Sequence, residues 1–265
     1  MRVPILILLI LTFFNSFGQS EDFPFNPGEE ITYSAHYHWG LFWMEAGEVV
    51  FEMDTVHNNQ QVIMNMQSRG KTLPKYEWLF RVRDTFSSAA YYPEMSPIYF
   101  KRSNYEGSNW VLNKYQFMPK EGLVIRDMNS NESIRRVDTI FLPAEHVLDV
   151  QTAVYYTRMW KLKDANKGDQ KIIKLMLAGD YFSIPITYRG KEIVKHKNGK
   201  NYSYYKITTK VAAGLIFREN QEISIYVSDD QARLPIVVKA PIIIGRVEAY
   251  LQKTGGISFP RSIDD

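Results

Sequence analysis

Two serine–lysine pairs stand at the spacing of an acylating serine and its base: Ser68 with Lys71 in "SRGK", and Ser203 with Lys206 in "SYYK". A "SDD" at Ser228 to Asp230 and a "KTG" at Lys253 to Gly255 would complete the set found in penicillin-binding enzymes. That chemistry needs serine and lysine on one helix face. Both pairs fall in strand-like runs, where residues i and i+3 point to opposite sides, so the pattern argues against an acyl-transfer site. "NMQSRGKT" imitates a phosphate loop, but Asn65 stands where its first glycine belongs and Pro74 interrupts the helix that should follow. His36 and His38 share a strand face, as metal ligands would. Without a cysteine or a nearby carboxylate cluster they read as polar-face histidines, and neither metal nor other cofactor is expected. In "VSDDQARLP", Asp229 and Asp230 alternate across a strand and so cannot face each other as an acid–base pair. With Arg233 they predict a structural turn or ion pair, in which one aspartate accepts from the arginine or from loop N–H groups. No catalytic residue emerges.

The segment "WGLFWM", Trp39 to Met44, is too apolar for an ordinary solvated turn. Two readings stay open. Trp39, Phe42 and Trp43 either fold inward to cap a sheet, or line the mouth of an apolar cavity as ligand-binding residues.

The elements that must position these residues alternate with period two. Ile31, Tyr33, Ala35, Tyr37 and Trp39 fall on one side, and Thr32, Ser34, His36 and His38 on the other. A dozen or so such runs, rich in β-branched and aromatic residues, are separated by Asn, Gly, Pro and Asp, which predicts a large antiparallel sheet. Pro97, Pro185, Pro235 and Pro241 belong at edges, strand starts and bulges, so the sheet should curl. One segment, Ala144 to Lys163, has helical periodicity. Asp149 lies near its start and Arg158, Lys161 and Lys163 near its end, and a Val147/Val150/Val154 stripe is expected to face the sheet. The predicted fold is mainly β: one curled antiparallel sheet, half-barrel or barrel-like, with a single long helix packed on or in it.

The start of the chain, "MRVPILILLILTFFNSFGQS", has one positive charge and an apolar run from Val3 to Phe14, with small residues Ser16 and Gly18 before a cleavage point. Residues 1–18 therefore read as a signal peptide and 19–265 as a single β-rich domain. Nothing after residue 18 resembles a transmembrane segment, and no cysteine is present to carry a lipid anchor or a disulfide. Basic and acidic residues nearly balance, 32 against 29, which gives no pull toward nucleic acid. The densest basic stretch, Arg189 to Lys200, ends in "KNGK" and reads as a hairpin turn with lysines guarding a sheet edge.

In order, "FNPGEEITYSAHYHWG", "EAGEV", "RVRDTFSS", "HVLDVQTAVYYTR", "YRGKEIV", "ISIYVSDDQARLPIVV" and "IIGRVEAYL" resemble an exported bacterial family catalogued only as a domain of unknown function. The resemblance covers about Phe25 to Leu251, and departs at "VAAGLIFRENQEI". It implies the periplasm of a Gram-negative cell and an antiparallel β fold similar to periplasmic lipoprotein carriers. It carries over no activity and no catalytic residue.

Three functions compete. The leading one is a non-enzymatic periplasmic protein holding a lipid or other apolar small molecule in its curled sheet. A structural or assembly partner in the cell envelope, with a filled core, is the second. A hydrolase whose site the sequence does not display is the third; a strongly perturbed carboxylate or histidine in a cleft would support it.

Overall fold

Period-two alternation becomes fifteen strands in a computed structural model that describes residues 23–58, 61–142, 146–195, 201–210, 221–242 and 244–257. They are β1 (Glu29–Trp39), β2 (Phe42–Asn58), β3 (Gln61–Thr72), β4 (Val82–Tyr92), β5 (Ser96–Glu106), β6 (Asn109–Met118), β7 (Leu123–Ser130) and β8 (Arg136–Phe141). The second group is β9 (Val147–Leu148), β10 (Gln170–Leu177), β11 (Asp180–Lys195), β12 (Asn201–Thr209), β13 (Ile223–Ser228), β14 (Pro235–Pro241) and β15 (Arg246–Gly255). One α-helix, α1 (Val150–Arg158), accompanies them among the described residues. The expected signal peptide at 1–18, the expected turn at 197–200 and residues 211–220 lie outside those described.

All fifteen strands form one sheet, in the order β8-β7-β6-β5-β4-β3-β2-β1-β15-β14-β13-β12-β11-β10-β9. Every ladder is antiparallel except β9 on β10, where Val147 and Leu148 run beside Lys174 and Leu175. The sheet curls without closing, so β8 and β9 remain its two ends. Side chains bridge the seam instead. Arg126 of β7 donates to the Ala178 carbonyl in the β10–β11 turn at 2.8 Å, and Val147 and Met176 pack with Phe100, Tyr115, Phe117 and Val124.

Two of the prolines sit where the ladders slip: Pro97 pairs with Ala90 at one register shift and Pro235 with Val227 at another. Pro185 lies one residue outside the β11–β12 ladder, which begins at Ile186, and Pro241 ends β14. A missing N–H costs little at such places.

The helix is shorter than its apolar periodicity, and the expectation of a long Ala144–Lys163 helix is corrected. Asp149 caps it with its side chain, so the chain before it is extended and Val147 and Leu148 become a strand. After Met159 the chain leaves the helix, and Trp160 and Leu162 enter the core beside Ile173, Ile186 and Tyr188. Strand, helix and turn all bury apolar side chains here, and the composition alone runs the three together.

The seam generates a test. Gly179 has φ +96°, and a Cβ there would fall 1.8 Å from the Arg126 guanidinium. Gly179→Ala should cost about 1–2 kcal/mol from the left-handed backbone, and more where Arg126 loses its carbonyl. Gly168→Ala, at φ +101° with nothing near its Cβ, isolates the backbone part. Urea unfolding should show the larger loss at Gly179; equal losses would mean that the seam contact adds nothing.

Candidate functional site

A helix packed on a sheet ordinarily buries its apolar stripe. Here α1 does the reverse, and buries Gln151, Thr152, Tyr155 and Arg158. Each polar side chain on that face makes at least one hydrogen bond, and the Gln151 Nε2 amide is the one buried group there left without a partner. Asp149 accepts from the backbone N–H of Gln151 and of Thr152, both at 2.9 Å, from Thr152 Oγ1 at 2.6 Å, and from Ser88 Oγ of β4 at 2.7 Å. Ser68 Oγ of β3 donates to Gln151 Oε1 at 2.9 Å. The Tyr155 hydroxyl donates to the Glu52 carbonyl at 3.4 Å.

Arg158 is the deepest anchor. It is 4% exposed, and its partner Glu29 is 1% exposed. Nη1 donates to Glu29 Oε1, and Nη2 donates to Glu29 Oε2 at 3.1 Å, the Pro24 carbonyl at 2.9 Å and the Ala232 carbonyl at 3.0 Å. The guanidinium also lies 4.7 Å over the Phe25 ring. Burial alone would lower the arginine's pKa, but the adjacent Glu29 carboxylate outweighs it and holds the pKa above its ordinary value. Burial likewise pushes the hydroxyls of Tyr33 and Tyr155 well above the usual tyrosine range.

With its polar face tied down, α1 turns Val150, Ala153, Val154 and Thr157 toward a cavity of about 440 Å³. Ile31 and Phe51 form one wall; Ile186, Ile207 and Ile225 form another. Most of the lining is apolar; its polar side chains include Arg233 and Arg158, the latter bound to Glu29. Tyr33 donates to the Pro235 carbonyl at 2.8 Å, Thr157 to the Ala153 carbonyl at 2.8 Å and Thr209 to the Pro185 carbonyl at 3.0 Å. No histidine, aspartate, glutamate, serine or lysine is among the lining residues. Such a wall offers hydrocarbon contact rather than acid–base chemistry.

The predicted site residues are not brought together. Trp39, Phe42 and Trp43 are 57%, 73% and 52% exposed, so they do not cap the core, and none lies on the cavity lining. Trp39 and Phe42 face each other across the β1–β2 turn with ring centroids 6.3 Å apart. Trp43 turns to the opposite sheet face and stacks on His36 at 4.8 Å. Asp229 pairs with Lys191 at 2.6 Å, while Asp230 Oδ1 accepts from Ser228 Oγ at 2.7 Å and from the Arg233 backbone N–H at 3.1 Å. Arg233, at φ +45°, reaches the cavity lining, which no feature of its local sequence signals. Ser68 points inward to Gln151, whereas Lys71 pairs with Glu48 at 3.0 Å and is exposed, so this serine and lysine do not share a site. Among the described residues, no cluster of three or more His, Cys, Asp or Glu could hold a metal ion. Burial raises the pKa of two carboxylates among the described residues: Asp149 is enclosed by donors rather than open to a cleft, and Asp84, half-buried on β4, is not on the cavity lining.

What sequence reasoning missed is the anchoring set: Glu29, Asp149, Gln151 and Arg158. One signal was present. Glu29 has the strand parity of Ile31 and Tyr33, and an acid on an inward face requires a buried cation.

An unclosed β-barrel-like sheet with an internal helix and an apolar cavity is the class that this architecture defines. The chain belongs to the family described as "Protein of unknown function (DUF3108)", which it matches over residues 32–252. The fold is similar to the crystal structure of a β-barrel-like protein of domain of unknown function DUF1849 from Brucella abortus. That likeness has a TM-score of 0.53 and 8% sequence identity, over 88% of this chain and 99% of the other. No curated protein matches the sequence. No helix among the described residues is long and apolar enough to cross a membrane.

Two outcomes follow from the anchors. Arg158→Met leaves Glu29 charged and unpaired in the core and should cost about 3–5 kcal/mol. Adding Glu29→Leu should recover much of that loss in urea unfolding; equal losses would mean the two residues are not coupled. The second concerns pH. Burial, opposed by the Thr152 and Ser88 hydroxyls, raises the Asp149 carboxyl above the ordinary 3.8. A folded-state pKa above the unfolded one means that this group's contribution is full below 3.8 and is lost as pH rises through the raised value. The stability of wild type minus that of Asp149→Asn should therefore fall as pH rises from 3 toward neutrality; a constant or rising difference would contradict the shift.

Proposed function

We propose that the protein is exported to the periplasm and there holds an apolar small molecule, a lipid acyl chain by its chemistry, in the cavity beneath α1, without catalysing a reaction. One observation carries the reading: the helix commits its polar side chains to the sheet and presents its apolar side to a void of about 440 Å³. That volume falls within the roughly 300–1,000 Å³ of small-ligand sites. A lining built mostly from Ile, Val, Leu, Phe and Ala side chains favours hydrocarbon over a polar guest. Export is supported by the apolar run Val3 to Phe14 followed by Ser16 and Gly18.

The test adds bulk to the void rather than to the packed core. Val154 faces the cavity and is 39% exposed, so Val154→Trp fills space that no side chain occupies. A fluorescent fatty acid should bind wild type and bind the variant at least ten-fold more weakly, with melting temperatures within a few degrees. Native mass spectrometry of the wild type should show a co-purified lipid that the variant lacks. Equal affinity in both proteins would overturn the proposal.

A further inference from the structure

We propose that one end of the curled sheet is a docking surface for an anionic lipid bilayer. Strands β1 to β8 follow one another as antiparallel neighbours, so the turns after β1, β3, β5 and β7 share an end. Register confirms it for the first two, since Gly47 pairs with Thr72 and the Leu73 N–H donates to the Ala46 carbonyl at 2.9 Å. His38 pairs with Arg246, which brings the β14–β15 turn to the same end.

That end displays large apolar side chains. Leu41 and Phe42 stand exposed on the β1–β2 tip, and Trp78, Leu79 and Phe80 on the β3–β4 tip, with Trp78 81% exposed. Ile134 and Ile244 are exposed in the turns after β7 and β14. The β3–β4 tip does not show these groups through slackness. Its Pro74–Tyr76 turn is closed by the N–H groups of Leu79 and Phe80, which both donate to the Tyr76 carbonyl, at 3.0 and 3.1 Å. The Trp78 indole N–H donates to the Lys75 carbonyl at 3.0 Å, and Arg83 pairs with Glu77 at 2.6 Å. The polar groups of this tip are satisfied within it, and its apolar ones are held outward.

Exposed bases flank them: Lys75 and Arg81 on the tip, while Lys71 and Arg83 at its base are already paired with Glu48 and Glu77. Tryptophan, phenylalanine and leucine beside lysine and arginine is the composition that partitions to a bilayer interface, the rings among headgroups and the cations on anionic lipid. The groups project as separate fingers from separate turns, which suits a deformable surface better than the compact central pocket of a protein-binding hot spot. This surface does not rest on the ligand reading. The two are compatible, since Thr209 and Ile223 of the cavity lining end β12 and begin β13 on that same side.

Vesicle sedimentation and tryptophan emission test it, with phosphatidylglycerol–phosphatidylcholine and pure phosphatidylcholine vesicles. Wild type should sediment with the anionic vesicles, more weakly at high salt, with blue-shifted emission. Leu41→Ser/Phe42→Ser/Trp78→Ser/Phe80→Ser should lose at least ten-fold in binding and melt near wild type. If that variant fails to fold, Lys75→Glu/Arg81→Glu carries the test, and should weaken binding to anionic vesicles only. Both variants should titrate with the fluorescent fatty acid as wild type does, which separates this surface from the cavity. Failure of wild type to sediment with either vesicle, or undiminished binding by a folded variant, would overturn the proposal. So would concentration-dependent self-association of wild type that the tip variant abolishes, because the tips would then meet a second copy of the chain.

Discussion

A guanidinium enclosed in the middle of the molecule sets the terms for the rest. Removing an arginine and a glutamate from water costs several kcal/mol per ion, recovered only with good geometry and a full set of hydrogen bonds. Arg158 has both: two contacts to the Glu29 carboxylate, the carbonyls of Pro24 and Ala232, and the ring of Phe25. These partners come from two pieces of chain far apart in sequence, Pro24 to Glu29 leading into β1 and the β13–β14 turn. The helix end is thereby fixed against two distant pieces of chain at once, and its rotation is fixed with them. A low-dielectric site makes such a network close to all-or-none, since any missing member leaves a buried polar group unpaired.

That rotation divides the interior. On one side of α1, Tyr155 and Phe25 pack with Met53, Met64, Met66, Met95 and Ala90, a methionine-rich core whose flexible thioethers fill irregular space. On the other side the helix meets the cavity wall built from β1, β2 and β10 to β15. An unclosed sheet permits this asymmetry. A closed barrel of fixed strand number has its interior radius set by register, whereas here the seam is joined by side chains, Arg126 to the Ala178 carbonyl and Met176 to Phe117 and Val124.

How much of this was legible follows from the range of each interaction. Alternation is local, so the strands, the antiparallel order and the curl suggested by the prolines could all be read directly. The helix was read too long because Val147, Leu148, Trp160 and Leu162 are as apolar as the residues between them while lying in a strand and a turn. Its facing was misread for a related reason. Val150 and Val154 look like a core stripe, and only the long-range partners of Gln151 and Arg158 reveal that the opposite face is the buried one. The Trp39–Met44 tip was recognised as too apolar for an ordinary turn, but composition cannot tell inward from outward. That depends on where the sheet ends, which is set by the register of Gly47 on Thr72 and His38 on Arg246.

The cavity's largely hydrocarbon lining supports the apolar occupant proposed for it. The pocket is partly open to solvent, so its cost is that of apolar surface left facing water, about 25 cal/mol per Å². Water gains little on this wall, because it needs two or more polar partners and the Tyr33, Thr157 and Thr209 hydroxyls already donate to backbone carbonyls. Collapse of the helix onto the far wall would remove the void, but would pull Arg158 from Glu29 and Gln151 from Ser68. The polar anchors therefore hold open a space that packing alone would close, and the proposed apolar ligand would supply the contacts that the surrounding isoleucines and valines otherwise lack.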